Sequence, residues 1–131
     1  MKQETPFALI ESVTNARAEG DIVAVVGCYE PTSLVVVEPG KVLSGTEVIR
    51  EFNEHVMKLS IMFEQSTIIE ADGVAIHYSR WSRENTSNGM ITVSTGVTTD
   101  VLRRQQDASW LLCLDNPWGI EVLPAAQRIR Y

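Results

Sequence analysis

Asp115 closes an apolar run, Leu111-Leu112-Cys113-Leu114. A carboxyl at the end of such a strand meets poor solvent, and burial disfavours its charged form. Its pKa then rises toward the range a general base or acid needs at neutral pH. The competing reading is a strand-end Asp that caps the Asn116-Pro117 turn. Side chains alternate along a strand, so Asp115 and Asn116 face the same side only where the strand is distorted. Asp100 and Arg104 lie four apart on one face of a long strand. Asp100 is a second candidate base, and Arg104 either neutralises an inward acid or binds a ligand carboxylate. As a surface ladder pair the two contribute little. Tyr29 has a hydroxyl suited to polarising a ligand carbonyl, or a tip that reaches water.

Trp81, Trp110 and Trp118 each supply a flat apolar wall and one N–H donor. Such walls suit ligand stacking or core packing. Trp110, which begins a core strand, points to packing. Trp118, just after Pro117, suits a pocket rim or dimer contact as well as the core. His55 lies one position off the apolar stripe of its helix and His77 sits mid-strand, and either can titrate near neutrality or simply hydrogen-bond. Neither shares a metal-ligand spacing with an acid, so no metal and no cofactor are expected. No nucleophile elbow, phosphate loop or dinucleotide fingerprint occurs.

These residues need a scaffold, and the hydrophobic period describes one. Thr5-Pro6 opens a helix and Gly20 ends it, with Phe7, Leu9, Ile10, Val13 and Ala16 or Arg17 at helical spacing. Asp21 caps a second helix expected to run to Tyr29 and stop at Pro31. Thr32-Ser33 reads as a turn, Leu34 to Val37 as a strand, and Pro39-Gly40 as its end. Gly45-Thr46 opens a third helix with Val48, Ile49, Phe52, Val56 and Leu59 on one stripe. Strands are expected over 61–70, 74–83, 90–104 and 110–115, with Asp72-Gly73 as a hairpin turn and a bulge at Gly96. Residues 84–89 read as a polar loop, and 120–131 as a C-terminal tail. Three helices in the N-terminal half and a mostly antiparallel sheet make an α+β domain spanning 1–131.

The 131 residues suffice for one domain, and 17 acidic against 11 basic residues leave a formal net charge of -6. That balance excludes nucleic acid and anionic membranes as expected partners. No apolar run approaches a membrane span, and no secretory leader is evident in the first residues. Cys28 and Cys113 read as free thiols in a reducing, cytoplasmic setting. Apolar residues on both faces of several strands, such as Val93, Val97 and Val101 beside Leu102, imply that a second copy covers the outer face.

Taken together, Tyr29-x-Pro31, Pro39-Gly40, Gly45-x-x-x-Ile49-Arg50-x-Phe52, Trp81, Leu102-Arg103-Arg104, Trp110 and Asp115-Asn116-Pro117-Trp118 resemble the SnoaL-like branch of the nuclear-transport-factor-two-like superfamily. The resemblance runs to about Gly119. It implies a cystatin-like cone: three N-terminal helices packed on a curved, mostly antiparallel sheet around a pocket. It also implies homodimers paired across the sheet. It implies little about reaction, because the family includes isomerases, dehydratases, cyclases, epoxide hydrolases and pockets without activity. Its catalytic members place an Asp with a Tyr, His or second acid in the pocket. Here no Asp–His pair stands at matching positions, and Asn116 lies near where many relatives carry a histidine.

Two functions follow as expectations. One is a cone that binds a small apolar carbonyl-type ligand and acts on it by proton transfer, as an isomerase, cyclase or hydrolase. Asp115 or Asp100 is then the base, Tyr29 the polarising donor, and Trp81, Asn116, Trp118, His55 and Arg104 the ligand contacts. The other is a non-catalytic dimerising or ligand-sensing module.

Overall fold

The computed structural model describes residues 3–124, excepting the side chain of Gln65. Helix α1, Pro6–Glu19, begins where the Thr5 hydroxyl accepts from the Ala8 N–H at 3.0 Å, and it ends at Gly20 in the left-handed region. It buries Leu9, Val13 and Ala16. Helix α2 is one short turn, Ile22–Val26, capped by Asp21. Strand β1, Tyr29–Glu38, turns at Pro39-Gly40 into β2, Lys41–Ser44. Helix α3, Thr46–Met57, follows and buries Ile49 and Asn53. Three long strands and a short one complete the order: β3 (Ile61–Ala71), β4 (Val74–Ser87), β5 (Met90–Arg104) and β6 (Trp110–Asp115), then a 3-10 helix over Gly119–Val122.

The six strands among the described residues form one curved sheet in the order β2-β1-β6-β5-β4-β3. Every neighbouring pair is antiparallel except β1 and β6, which run parallel. The helices lie against one face. Toward them the sheet presents a row of directly paired residues, Ala75, Leu102, Leu112 and Tyr29, which joins Leu9, Val13, Val25, Val35 and Ile49 in the core. One residue along, the opposite face carries a second apolar row that crosses five strands: Ile69, Ile76, Val101, Leu114 and Leu34.

The α+β class, the curved mostly antiparallel sheet and α1 agree with the sequence. Several boundaries do not. Tyr29 begins β1 instead of ending α2, and Thr32-Ser33 lies inside that strand. Pro31 is tolerated because it falls between Tyr29 and Leu34, where the ladder to β6 is interrupted. The strand β2 was not anticipated. The expected loop over 84–89 is strand up to Ser87, with Asn88-Gly89 as a two-residue turn, both at positive φ. Of the tail expected over 120–131, residues 125–131 lie outside the described residues.

Gly96 is not a bulge, since β4 and β5 stay in register past it. It is a close approach: a Cβ there would lie 2.4 Å from Trp81 Cζ2. The bulges lie elsewhere. Glu64 and Gln65 together oppose Arg80 on β3, and Cys113 is the extra residue of β6, because Leu102 pairs with Leu112 while Val101 pairs with Leu114. We predict that Gly96→Val displaces the Trp81 ring and destabilises the fold by about 1–3 kcal/mol, the usual range for overpacking. Thermal melting with tryptophan fluorescence checks this, and an unchanged midpoint and spectrum would contradict the packing described.

Candidate active site

The Cys113 bulge decides what Asp115 does. On a regular strand, inward Trp110 and Leu112 would send Asp115 outward. The extra residue reverses the alternation, so Asp115 turns inward and is 5% exposed. Two polar side chains, Tyr29 and Arg17, meet it there, and Asn53 holds both. The Tyr29 hydroxyl donates to Asp115 Oδ2 in a short hydrogen bond. Arg17 reaches the same oxygen from α1 at 3.4 Å and donates to the Tyr29 hydroxyl at 2.9 Å. Asn53 of α3 accepts from Arg17 Nε at 2.9 Å and donates to the Tyr29 oxygen at 3.2 Å and to the Ile49 carbonyl at 2.8 Å.

Burial raises the Asp115 pKa to about 7, helped by the neighbouring Asp100 carboxylate and opposed by Arg17. Burial and the Asp115 charge hold the Tyr29 phenol well above its ordinary range. Burial works against the Arg17 charge, but Tyr29, Asp115 and Asp100 more than offset it and hold the guanidinium protonated. The cluster therefore combines a carboxyl that changes charge near neutrality, a phenol that stays protonated and a fixed cation. A carboxyl of this kind can accept and return a proton, and the phenol can donate to a developing oxyanion.

Asp100 lies on the same inner face. Its Oδ2 is 3.2 Å from His77 Nδ1 and its Oδ1 accepts from the Asn116 N–H at 3.0 Å. An Asp–His pair is thus present, contrary to the expectation from sequence. Asn88-Gly89 as the turn sets Ser87 opposite Met90 and, ten residues further along each strand, His77 opposite Asp100. A loop over 84–89, as the polar composition suggests, would leave this register undefined.

The other expected residues divide. Asn116, not Asp115, caps the final turn: its Oδ1 accepts from Trp118 N–H at 3.1 Å and its amide donates to the Gly119 carbonyl at 3.2 Å. Trp81 donates to the Pro117 carbonyl at 2.8 Å. Trp81 and Trp118 both line an open cleft of about 350 Å³ beside Gly96 and Glu121. The buried Nε1 of Trp118 has no hydrogen-bond partner among the described residues. Trp110 is core. His55 is exposed on α3, apart from the cluster. Arg104 is half exposed and pairs with Asp72 at 3.4 Å, not with Asp100. Arg17 and Asn53 were missed, although each is a polar residue at core-facing helical spacing, after Leu9-Val13 and Ile49 respectively. On the outer face, the Glu30 carboxylate is held below its ordinary range by hydrogen bonds from Arg103, with both nitrogens at 2.8 Å. Both cysteines are free. Among the described residues no three His, Cys, Asp or Glu side chains converge as a metal site, and no helix is long and apolar enough to cross a membrane.

No family model matches the sequence, and no curated protein does. Solved structures do match in fold. A candidate ketosteroid isomerase of Shewanella frigidimarina superposes with TM-score 0.69 at 21% identity, over 82% of this chain and 89% of that one. A ketosteroid isomerase-like protein of Erwinia carotovora gives 0.64 at 19%, over 82% and 88%. An NTF2-like protein with a cystatin-like fold from Novosphingobium aromaticivorans gives 0.63 at 14%, over 82% and 74%. The chain has the NTF2-like, cystatin-like cone fold.

The raised Asp115 pKa fixes a sign for stability. The folded carboxyl titrates near 7 against 3.8 for an ordinary one, so between these values the folded chain holds a proton that the unfolded chain releases. Stability from this group is therefore present at low pH and lost as pH rises from about 4 to about 7. We expect the melting temperature to fall across that window and the fall to flatten in Asp115→Asn. Parallel melting curves for the two proteins would contradict the assignment.

Proposed function

We propose that the protein transfers protons on a small, apolar carbonyl compound, in an isomerase-like reaction. Asp115 takes a proton from carbon next to the carbonyl and returns it, and Tyr29 donates to the oxygen that gains charge. Arg17 and Asn53 hold the pair in place. The observation that carries this reading is the Asp115 carboxyl, buried on the inner face of the cone and raised into the neutral range beside a protonated phenol. The fold shared with structures named for ketosteroid isomerase is consistent with it.

A second reading, a non-catalytic ligand-sensing or dimerising module, is favoured by one observation. Tyr29, Arg17 and Asn53 already hydrogen-bond one another around Asp115, as polar groups do when they only hold a core together.

Exchange of α-hydrogens for deuterium in small apolar ketones, followed by NMR, separates the two. Proton transfer predicts exchange above the buffer rate and a loss of about 100-fold in Asp115→Asn, with the variant still folded. Wild-type exchange at the buffer rate would leave the second reading.

The row Ile69, Ile76, Val101, Leu114 and Leu34 gives the helix-free face an apolar stripe, with Ile69 58% and Leu34 45% exposed. We infer that two copies pair across this face. Sedimentation should show a dimer that Ile69→Lys converts to a folded monomer. A monomeric wild-type protein would refute the pairing.

A further inference from the structure

The inner face holds a second arrangement that the proton-transfer reading does not use. Ser66 Oγ lies 2.6 Å from His77 Nε2, and His77 Nδ1 lies 3.2 Å from Asp100 Oδ2. Asp100 is itself fixed by the Asn116 N–H at 3.0 Å. With its proton on Nδ1, His77 donates to Asp100 and accepts from Ser66. No local motif announces this, because the three residues come from β3, β4 and β5 and only the sheet register assembles them. The β3 bulge at Glu64 and Gln65 immediately precedes Ser66. Bulges recur beside active sites because they re-aim the next side chain.

His77 and Asp100 are buried, 6% and 7% exposed, whereas Ser66 opens into a cleft of about 330 Å³. Pro6, Phe7 and Ile68 give that cleft apolar walls, and Glu70 lines it too. The first turn of α1, at Thr5 to Phe7, closes the other side and brings the positive end of the helix dipole to the cleft.

We propose that Ser66 is a nucleophile activated by His77 and oriented through Asp100, and that the cleft takes small uncharged esters with an apolar acyl group. Ser66 Oγ bonds to the ester carbonyl carbon as its proton passes to His77 Nε2. The carbon–oxygen bond to the alcohol then breaks, and the leaving oxygen takes that proton. Water, deprotonated by His77, attacks the acyl-Ser66 carbonyl, and the acid departs as the proton returns to Ser66 Oγ. The sequence is redox-neutral and needs no further reactant. The Glu70 carboxylate disfavours anionic substrates.

The full chain is treated with a fluorophosphonate, followed by peptide mass mapping, and separately with p-nitrophenyl butyrate. The expected result is one adduct on Ser66 and ester hydrolysis, both absent in Ser66→Ala. Labelling should slow by about 100-fold in His77→Gln. Ser66 is exposed, so its alanine variant tests the nucleophile without disturbing the core. Absence of a Ser66 adduct in the wild-type protein would overturn the proposal. So would an adduct whose rate His77→Gln, folded by circular dichroism, leaves unchanged.

Discussion

Turning the Asp115 carboxyl into the core is the constraint on which the rest of the site depends. A carboxyl without partners costs several kcal/mol to bury. The chain meets that cost with groups from four elements: Arg17 of α1, Asn53 of α3, Tyr29 of β1 and Asp115 itself at the end of β6. The same contacts tie both long helices to the parallel β1–β6 pair, so fold and site share their polar interactions. Cys113 is the residue that makes this possible, because without the extra residue the acid would point away from the helices.

The polar residues of the inner face form one continuous series. Ser66 contacts His77, His77 contacts Asp100, Asp100 raises the Asp115 pKa, Asp115 contacts Tyr29 and Arg17, and both of these contact Asn53. The series contains two carboxyls and one permanently charged guanidinium. Charge repulsion between the carboxyls is the reason, after burial, that Asp115 keeps its proton to near neutrality. Asp100 thereby serves both ends: it orients His77 on one side and adjusts Asp115 on the other.

What was legible in the sequence is what depends on local chemistry. Thr5-Pro6 and Gly20 bound α1, and Asp72-Gly73 marks the β3–β4 hairpin, because caps and turns need particular residues. Asp115 stood out because it follows four apolar residues. Side-chain direction was not legible. It depends on bulges at Cys113 and at Glu64-Gln65, where no glycine or proline marks the extra residue. The His77–Asp100 pair depended on recognising Asn88-Gly89 as a tight turn, a signal present in the letters but masked by polar neighbours. Arg17 and Asn53 were visible only as polar interruptions of apolar helical stripes. Such interruptions mark buried polar networks, and here both lead to the site.

The chemistry of the site rests on Asp115 being a buried acid that changes charge near neutral pH. Carbon-13 NMR of the aspartate carboxyl carbons, titrated with pH, reads this directly. One resonance, lost in Asp115→Asn, should titrate near pH 7, well above the ordinary aspartate value of 3.8. An Asp115 resonance that titrates at or below that ordinary value would show the carboxyl fully ionised at neutral pH and would contradict the account.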